Sequence, residues 1–262
     1  MTILDKIIAE KRNEVERLKS EKLPEVLERK PVKSVYDSFM SSKKMNVIAE
    51  IKRASPSKGE INSGVDPVMQ AVLYEEAGAD AISVLTDGPF FSGSMEDLKR
   101  VREHVSIPIL CKDFIIDPIQ IQIAKASGAD VILLIVAALE EHQLKSLYKE
   151  ALSLGLEVLV EVHNAVELQT AFRLGANIIG INNRDLKTFI VDLAATEELA
   201  GKINGDEILI ISESGMKSSL DALRAEKAGA KGILVGETLM RSGDIALSMK
   251  DLKVPFKRNE AI

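Results

Sequence analysis

Residues 47–57 read VIAEIKRASPS, an apolar, β-branched run closed by a Ser-Pro-Ser turn, which is the pattern of a buried strand. Side chains alternate along a strand, so Ile48, Glu50 and Lys52 share one face and Ala49 and Ile51 the other. Two opposite charges at the end of a buried face are costly unless paired or used. The same oddity recurs downstream. Lys112 ends PILCK, Glu161 lies in EVLVEVH, Arg184 follows GINN and Glu213 ends EILIISE. Charges gathered at the C-terminal ends of several buried strands read as an active site.

Marking the short apolar runs outward from this stretch gives eight strand candidates: Val47–Ile51, Ala81–Leu85, Pro108–Cys111, Val131–Val136, Glu157–Val162, Ile178–Ile181, Glu207–Ile211 and Gly232–Val235. Stretches of helical period lie between them, such as MEDLKRVREHV, EHQLKSLYKEALSLG and SSLDALRAEKAG. Four end in Gly-Ala just before a strand, at Gly78, Gly128, Gly175 and Gly229, where glycine supplies the left-handed residue that stops a helix. Alternating strands and helices imply parallel βαβ units. Eight of them predict an α/β fold, a (β/α)₈ barrel over residues 47–262 as a single catalytic domain. An open doubly wound sheet is the competing reading. It favours a Gly-rich phosphate loop after the first strand, and none is present.

Residues 1–46 are expected to form a helical extension. Ile3, Leu4, Ile7, Ile8, Val15 and Leu18 mark one amphipathic helix, and Tyr36, Phe39 and Met40 a second, shorter one. A cap over one barrel end is the expected role, with a lid over the site as the alternative. The charge run Lys11–Lys22 reads as a solvated helix face.

Of the 262 residues, 46% are hydrophobic and 28% charged, with a formal net charge of −6. That balance fits a soluble globule and excludes bulk nucleic-acid binding, so an anionic ligand needs a local basic cluster. The one cysteine, Cys111, excludes an internal disulfide and fits a reducing, cytoplasmic setting. Its parity opposes Lys112, so it should face the helical shell. No signal peptide is visible in MTILDKIIAEKR. The run VILLIVAAL from Val131 is too short to span a bilayer, so no membrane partner is expected.

Inward-facing Lys112 suits anion binding, proton donation or Schiff-base chemistry. Glu161 follows Leu159 on one face and needs a cation, for which Lys112 and Lys52 are available. Asp113 reads either as a loop residue in solvent or as part of the site. Asn182 and Arg184 share the parity of Gly180. An amide there can orient a hydroxyl and a guanidinium can hold phosphate, although Asn182-Asn183-Arg184 also fits a plain turn. Ser214-Gly215 and Gly236-Glu237 follow the seventh and eighth strands, the usual phosphate location in such barrels. His104 and His142 read as helix-surface residues, and His163 as a neighbour of the site. No ligand spacing supports a metal.

Taken in order, AEIKRASPS at 49–57, CKDF at 111–114, EVLVEVH at 157–163, GINNRDL at 180–186, ISESG at 211–215 and VGETLM at 235–240 resemble the indole-3-glycerol-phosphate synthase family of tryptophan biosynthesis, over nearly the whole chain. The resemblance implies a small-molecule substrate, 1-(2-carboxyphenylamino)-1-deoxyribulose 5-phosphate, and a ring closure that releases carbon dioxide and water without a cofactor. It implies Lys112 as general acid and Lys52 as holder of the substrate carboxylate and acid for dehydration. Glu161 becomes the partner base, and Glu50 orients the lysines or removes a proton. Asn182 orients the amine or a hydroxyl. Glu213 and Ser214 line the floor. Ser55, Arg184, Gly215, Gly236 and the backbone of Glu237 fall at the phosphate end, and Phe90, Phe114, Leu133 and Leu186 around the aromatic ring. Some family members carry a basic residue where this chain has Ala54, so a replacement contact is expected from Arg53 or Lys58. Another sugar-phosphate barrel enzyme, such as an isomerase, and a non-catalytic phosphate-binding barrel are the alternative functions.

Overall fold

Eight parallel strands close into one barrel in sequence order: β1 (Asn46–Ile51), β2 (Ala81–Leu85), β3 (Ile109–Lys112), β4 (Val131–Ile135), β5 (Glu157–Val162), β6 (Ile178–Asn182), β7 (Leu209–Glu213) and β8 (Gly232–Val235). β1 closes the ring, pairing with β8 through Ala49 and Val235 and with β2 through Ile51 and Val84. This computed structural model describes residues 2–27, 31–62 and 64–256. Closure disposes of the open-sheet alternative, since none of these eight strands is left with a free edge.

Each strand is followed by a helix of the outer ring: α3 (Pro67–Glu76), α4 (Met95–Arg102), α5 (Pro118–Ala126), α6 (Glu141–Ser153), α7 (Ala165–Leu174), α8 (Ala194–Ala200), α9 (Ser219–Lys227) and α10 (Ile245–Leu252). The four Gly-Ala junctions take the expected form, with φ between +77° and +101° at Gly78, Gly128, Gly175 and Gly229.

Strand ends differ from expectation for local reasons. β3 starts after Pro108, which has no N–H to give, and the Pro108 carbonyl accepts from Ile82 N at 2.9 Å. β7 starts two residues later than expected, because exposed Glu207 spends its carbonyl on the Tyr36 hydroxyl at 2.6 Å. The SPS turn carries a short antiparallel pair, Ala54–Ser55 with Gly59–Glu60, that periodicity did not reveal.

Alternation divides the apolar residues into two cores. Val47, Ile82, Cys111, Leu134, Val160 and Ile181 point outward into the helical shell. Ile48, Leu110, Leu133, Leu159, Ile211 and Leu234 fill the barrel interior. The short helix α2 (Val35–Ser41) plugs the N-terminal end, with Val35 and Phe39 inside that interior cluster. A side chain at Gly232 would meet the Phe39 ring at 3.0 Å, so the plug needs a glycine there. Glu157, at the bottom of β5, accepts from Ser34 Oγ at 2.8 Å, Val35 N at 2.7 Å and Tyr36 N at 3.0 Å. A carboxylate at a helix N-terminus meets both its free amides and its dipole.

The first helix, α1 (Ile3–Ser20), lies at the opposite end, where Ile3, Leu4 and Ile7 line the cavity at the barrel mouth. The extension therefore caps one end with α2 and covers the other with α1. The expected solvated face fails at Lys11, which is 1% exposed. Its ammonium is 2.7 Å from Asp113, 2.8 Å from Glu14 and 3.2 Å from Asp87. The spacing Ile7–Lys11–Val15 puts Lys11 on the buried stripe of the helix. Asp113 is likewise buried, accepting from Thr86 Oγ1 at 2.5 Å, which overturns its reading as a loop residue in solvent.

Removing one partner of such a buried set strands the others. Lys11→Ala is expected to destabilise the protein by roughly 3–5 kcal/mol, read as a lower melting temperature. Lys19→Ala, which breaks an exposed contact to Asp117, should leave the melt unchanged. Equal melts for the two variants would contradict the assignment.

Candidate active site

The parity that sends Ile48 and Leu110 into the interior carries Glu50, Lys52 and Lys112 to the same side at the strand ends. These three line a cavity of about 690 Å³ together with Glu161, Asn182 and Glu213. That size suits a small organic ligand.

Lys112 is the centre of the charge set. Its ammonium donates to Glu161 Oε2 at 3.0 Å and to Glu213 Oε2 at 2.8 Å. Lys52 pairs with Glu50 Oε1 at 2.5 Å on the neighbouring wall. Burial works against the Lys112 charge, but Glu161, Glu213 and Glu50 outweigh it and raise its pKa, so the amine is an ammonium at neutral pH.

The two carboxylates that share Lys112 differ in their other neighbours. Glu161 has a second cation, since His163 Nε2 lies 3.3 Å from Glu161 Oε1 and His163 Nδ1 3.0 Å from Glu167. The Nε2 contact is within ion-pair reach but is not aligned as a hydrogen bond. Burial disfavours the imidazolium, but the nearby carboxylates of Glu161 and Glu167 prevail and lift it to about 10. Burial also disfavours a charged Glu161, and Lys112 and His163 overcome it and hold that carboxyl below the usual range. Among the described residues Glu213 pairs with no second cation, and its Oε1 is buried without a partner. Burial and the nearby Glu161 outweigh Lys112 there and raise Glu213 to about 7. One mouth thus holds an ammonium, an ionised carboxylate and a carboxyl near its midpoint, a set suited to moving protons at neutral pH.

The strand ends are held from behind. Asn183, of opposite parity to Asn182, is buried and donates to Ser212 Oγ at 2.9 Å, Glu213 O at 2.9 Å and Ser214 O at 3.0 Å. Its oxygen accepts from Thr196 N at 3.1 Å and Thr196 Oγ1 at 2.8 Å. The turn reading of this pair thus divides, with Asn182 facing the cavity and Asn183 clamping β6 to β7. Ser214 has φ +65° and Gly215 φ +91°, so the chain turns sharply straight after Glu213. The left-handed serine costs about 1–2 kcal/mol, strain of a kind that collects at functional sites.

The phosphate-end candidates Ser55, Arg184, Gly215, Gly236 and Glu237 all line the same cavity. Arg184 is aimed by its loop, donating to Phe189 O at 3.2 Å, while the Asp185 carboxylate ties down Lys187 N and Thr188 N at 2.8 and 2.7 Å. The helical turn Glu237–Met240 starts directly after Gly236, with its first residues facing the cavity. Sequence reasoning missed Lys217 and Arg241, which add positive charge to this rim. Of the two replacements expected for Ala54, only Lys58 reaches the cavity. Arg53 is instead bound to Asp97 at 2.6 Å and to Ser92 O at 3.0 Å.

Phe114, Leu133 and Leu186 form apolar wall as expected, but Phe90 does not line the cavity and Phe91 does. Both sit in the helical turn Gly88–Phe91, where strand parity does not apply. Phe91 packs on Phe114 with ring centroids 5.9 Å apart. Cys111 faces the shell, and burial pushes its thiol up to about 12, which leaves it unreactive. Among the described residues no group of three His, Cys, Asp or Glu side chains could hold a metal ion, and no helix is long and apolar enough to cross a membrane.

The family model for indole-3-glycerol phosphate synthase matches residues 4–252. An indole-3-glycerol phosphate synthase of Oceanobacillus iheyensis is 53% identical over 256 residues, covering 98% of both chains. One from Bacillus cereus is 53% identical over 253 residues, covering 97% of this chain and 98% of that one. Among solved structures, 3-hexulose-6-phosphate synthase superposes with a TM-score of 0.61 at 19% identity, over 79% of this chain and 98% of that one. Thiamine phosphate pyrophosphorylase from Pyrococcus furiosus gives 0.58 at 17% identity, over 80% and 94%. These structural likenesses concern the barrel fold alone.

The charge set predicts an unusual titration. A carboxyl raised by folding binds its proton more tightly in the native state, so Glu213 lowers stability as pH rises from about 4.5 to about 7. Isotope-edited infrared spectra should show a glutamate carboxyl with its midpoint near 7 that vanishes in Glu213→Gln. If every glutamate titrates in the ordinary carboxylate range, the assignment fails.

Proposed function

The chain belongs to the indole-3-glycerol phosphate synthase family, and from that premise we propose how its barrel mouth carries out the reaction. The substrate is 1-(2-carboxyphenylamino)-1-deoxyribulose 5-phosphate, the product indole-3-glycerol phosphate, and the enzyme a carbon–carbon lyase of cytoplasmic tryptophan biosynthesis. The observation that carries the assignment of roles is the Lys112 ammonium held by two carboxylates in a cavity that also has a basic rim.

The phosphate binds at the rim, with Arg184, Ser55 and the backbone at Gly215, Gly236 and Glu237, and with Lys58 supplying charge in place of a basic residue at Ala54. The aromatic ring lies against Phe114, Phe91, Leu133 and Leu186. Lys52 exchanges Glu50 for the substrate carboxylate, which brings the ring carbon bearing that group towards the ketone.

That ring carbon attacks the ketone carbon, a carbon–carbon bond forms, and the carbonyl electron pair takes a proton from Lys112. The carboxylate then leaves as carbon dioxide, and the electrons of the broken bond restore the aromatic ring. In the dehydration, an acid protonates the new hydroxyl, which departs as water. Lys52 is near once its carboxylate partner has gone. A base removes the proton from the carbon next to nitrogen, a role that suits Glu161 because it is ionised. Asn182 and Ser214 orient the amine and hydroxyls. Overall one proton is taken up for each carboxylate lost, and the carboxyl of Glu213, close to its midpoint, can supply and recover protons at neutral pH.

Incubating the purified chain with this substrate should yield indole fluorescence and an equal amount of carbon dioxide, with full activity retained after exhaustive chelation. Ketose isomerisation without carbon dioxide would refute the reading. A substrate lacking its phosphate should lose most of its kcat/KM, because binding energy at a remote dianion holds the reacting end in place. Equal kcat/KM for the two substrates would remove the rim from the account.

A further inference from the structure

One inward-facing position at the mouth carries no side chain. Gly180 of β6 pairs with Glu161 of β5 and Ile211 of β7, one step below the pair Asn182 and Glu213. Its φ is not among the positive values of the chain, so the backbone makes no demand for glycine there. What glycine supplies is space. A Cβ at this position would overlap Glu213 Oε1, and would lie 3.2 Å from Glu213 Cδ and 3.1 Å from Leu159 Cδ1. The Glu213 carboxyl therefore rests on the bare backbone of β6, with Oε2 bonded to Lys112 at 2.8 Å and Oε1 buried without a partner.

We propose that Gly180 is a positioning residue, whose missing side chain lets Glu213 lie across β6 and reach Lys112. The general acid is then held by two carboxylates, at 3.0 and 2.8 Å, instead of by Glu161 alone. The barrel uses the same device beside β1, where a Cβ at Gly236 would come within 2.6 Å of Glu50 Oε1. Gly236 is also assigned to the phosphate, so Gly180 gives the cleaner test. The inference rests on the roles given above to Lys112 and Glu213.

An alanine at 180 would force Glu213 into another rotamer and release one side of the Lys112 ammonium. Misplacement of a reacting group by about 1 Å costs up to about 10²-fold in rate. The test is a cycle of Gly180→Ala, Glu213→Ala and the double variant, each measured for kcat, KM and thermal melting. Gly180→Ala is expected to fold and to lose roughly tenfold to a hundredfold in kcat with little change in KM. In the Glu213→Ala background the same substitution should change kcat by less than about twofold, because nothing is left to displace. The same loss in both backgrounds, or wild-type kcat in Gly180→Ala, would overturn the proposal. If Gly180→Ala does not fold, the double variant decides. Recovered folding supports the proposal, and continued failure places the crowding at Leu159 and overturns it. A wild-type chain without synthase activity would refute the reaction and not the geometry. In that case the infrared midpoint of Glu213 is the readout, expected to depart from its wild-type value in Gly180→Ala, and an unchanged midpoint overturns the inference.

Discussion

The shared hold of Glu161 and Glu213 on the Lys112 ammonium is the constraint around which the mouth is built. A lysine this buried is tolerable only while its charge is compensated. Two carboxylates compensate it, but they also repel each other, and the surroundings resolve the conflict. His163 gives Glu161 a second cation, so that carboxyl keeps its charge, while Glu213 holds its proton up to near-neutral pH. Burial and unequal neighbours thus push two glutamates of the same type in opposite directions from the ordinary carboxylate value.

Much of the remaining fold serves to keep these three groups in register. They come from β3, β5 and β7, alternate strands of a closed ring, and closure fixes where each strand end stands. Asn183 binds the end of β6 to the end of β7. Lys11 reaches from α1 to Asp113, the residue after Lys112, and to Asp87 in the preceding loop. At the far end, Glu157 and Gly232 seat the plug helix, whose Val35 and Phe39 close the apolar interior.

The barrel was legible because its strands are buried on both sides and read as apolar runs, against which a terminal lysine or glutamate stands out. The charged residues at the strand ends stood out for the same reason, and they reach one cavity. What local pattern could not supply was register between distant segments. Lys11 resembles the other lysines of α1 until its place between Ile7 and Val15 is noticed. Phe90 and Phe91 are neighbours in a helical turn, where period-two reasoning has no force. Arg53 and Lys58 look equivalent in sequence, yet Asp97, on another element, binds the first and leaves the second at the cavity. The value of Gly180 as empty space depends on a carboxylate 33 residues away, which no local reading contains.

The most direct test of the account is the single-turnover rate of folded Lys112→Ala. A positioned general acid contributes roughly 10²–10⁴-fold, so ring closure should slow by that order while substrate still binds at the rim. Lys112→Arg should stay slow, because a guanidinium keeps its proton. Closure at the wild-type rate in Lys112→Ala would contradict the account, since the charge set would then be a structural ion cluster and the acid another group.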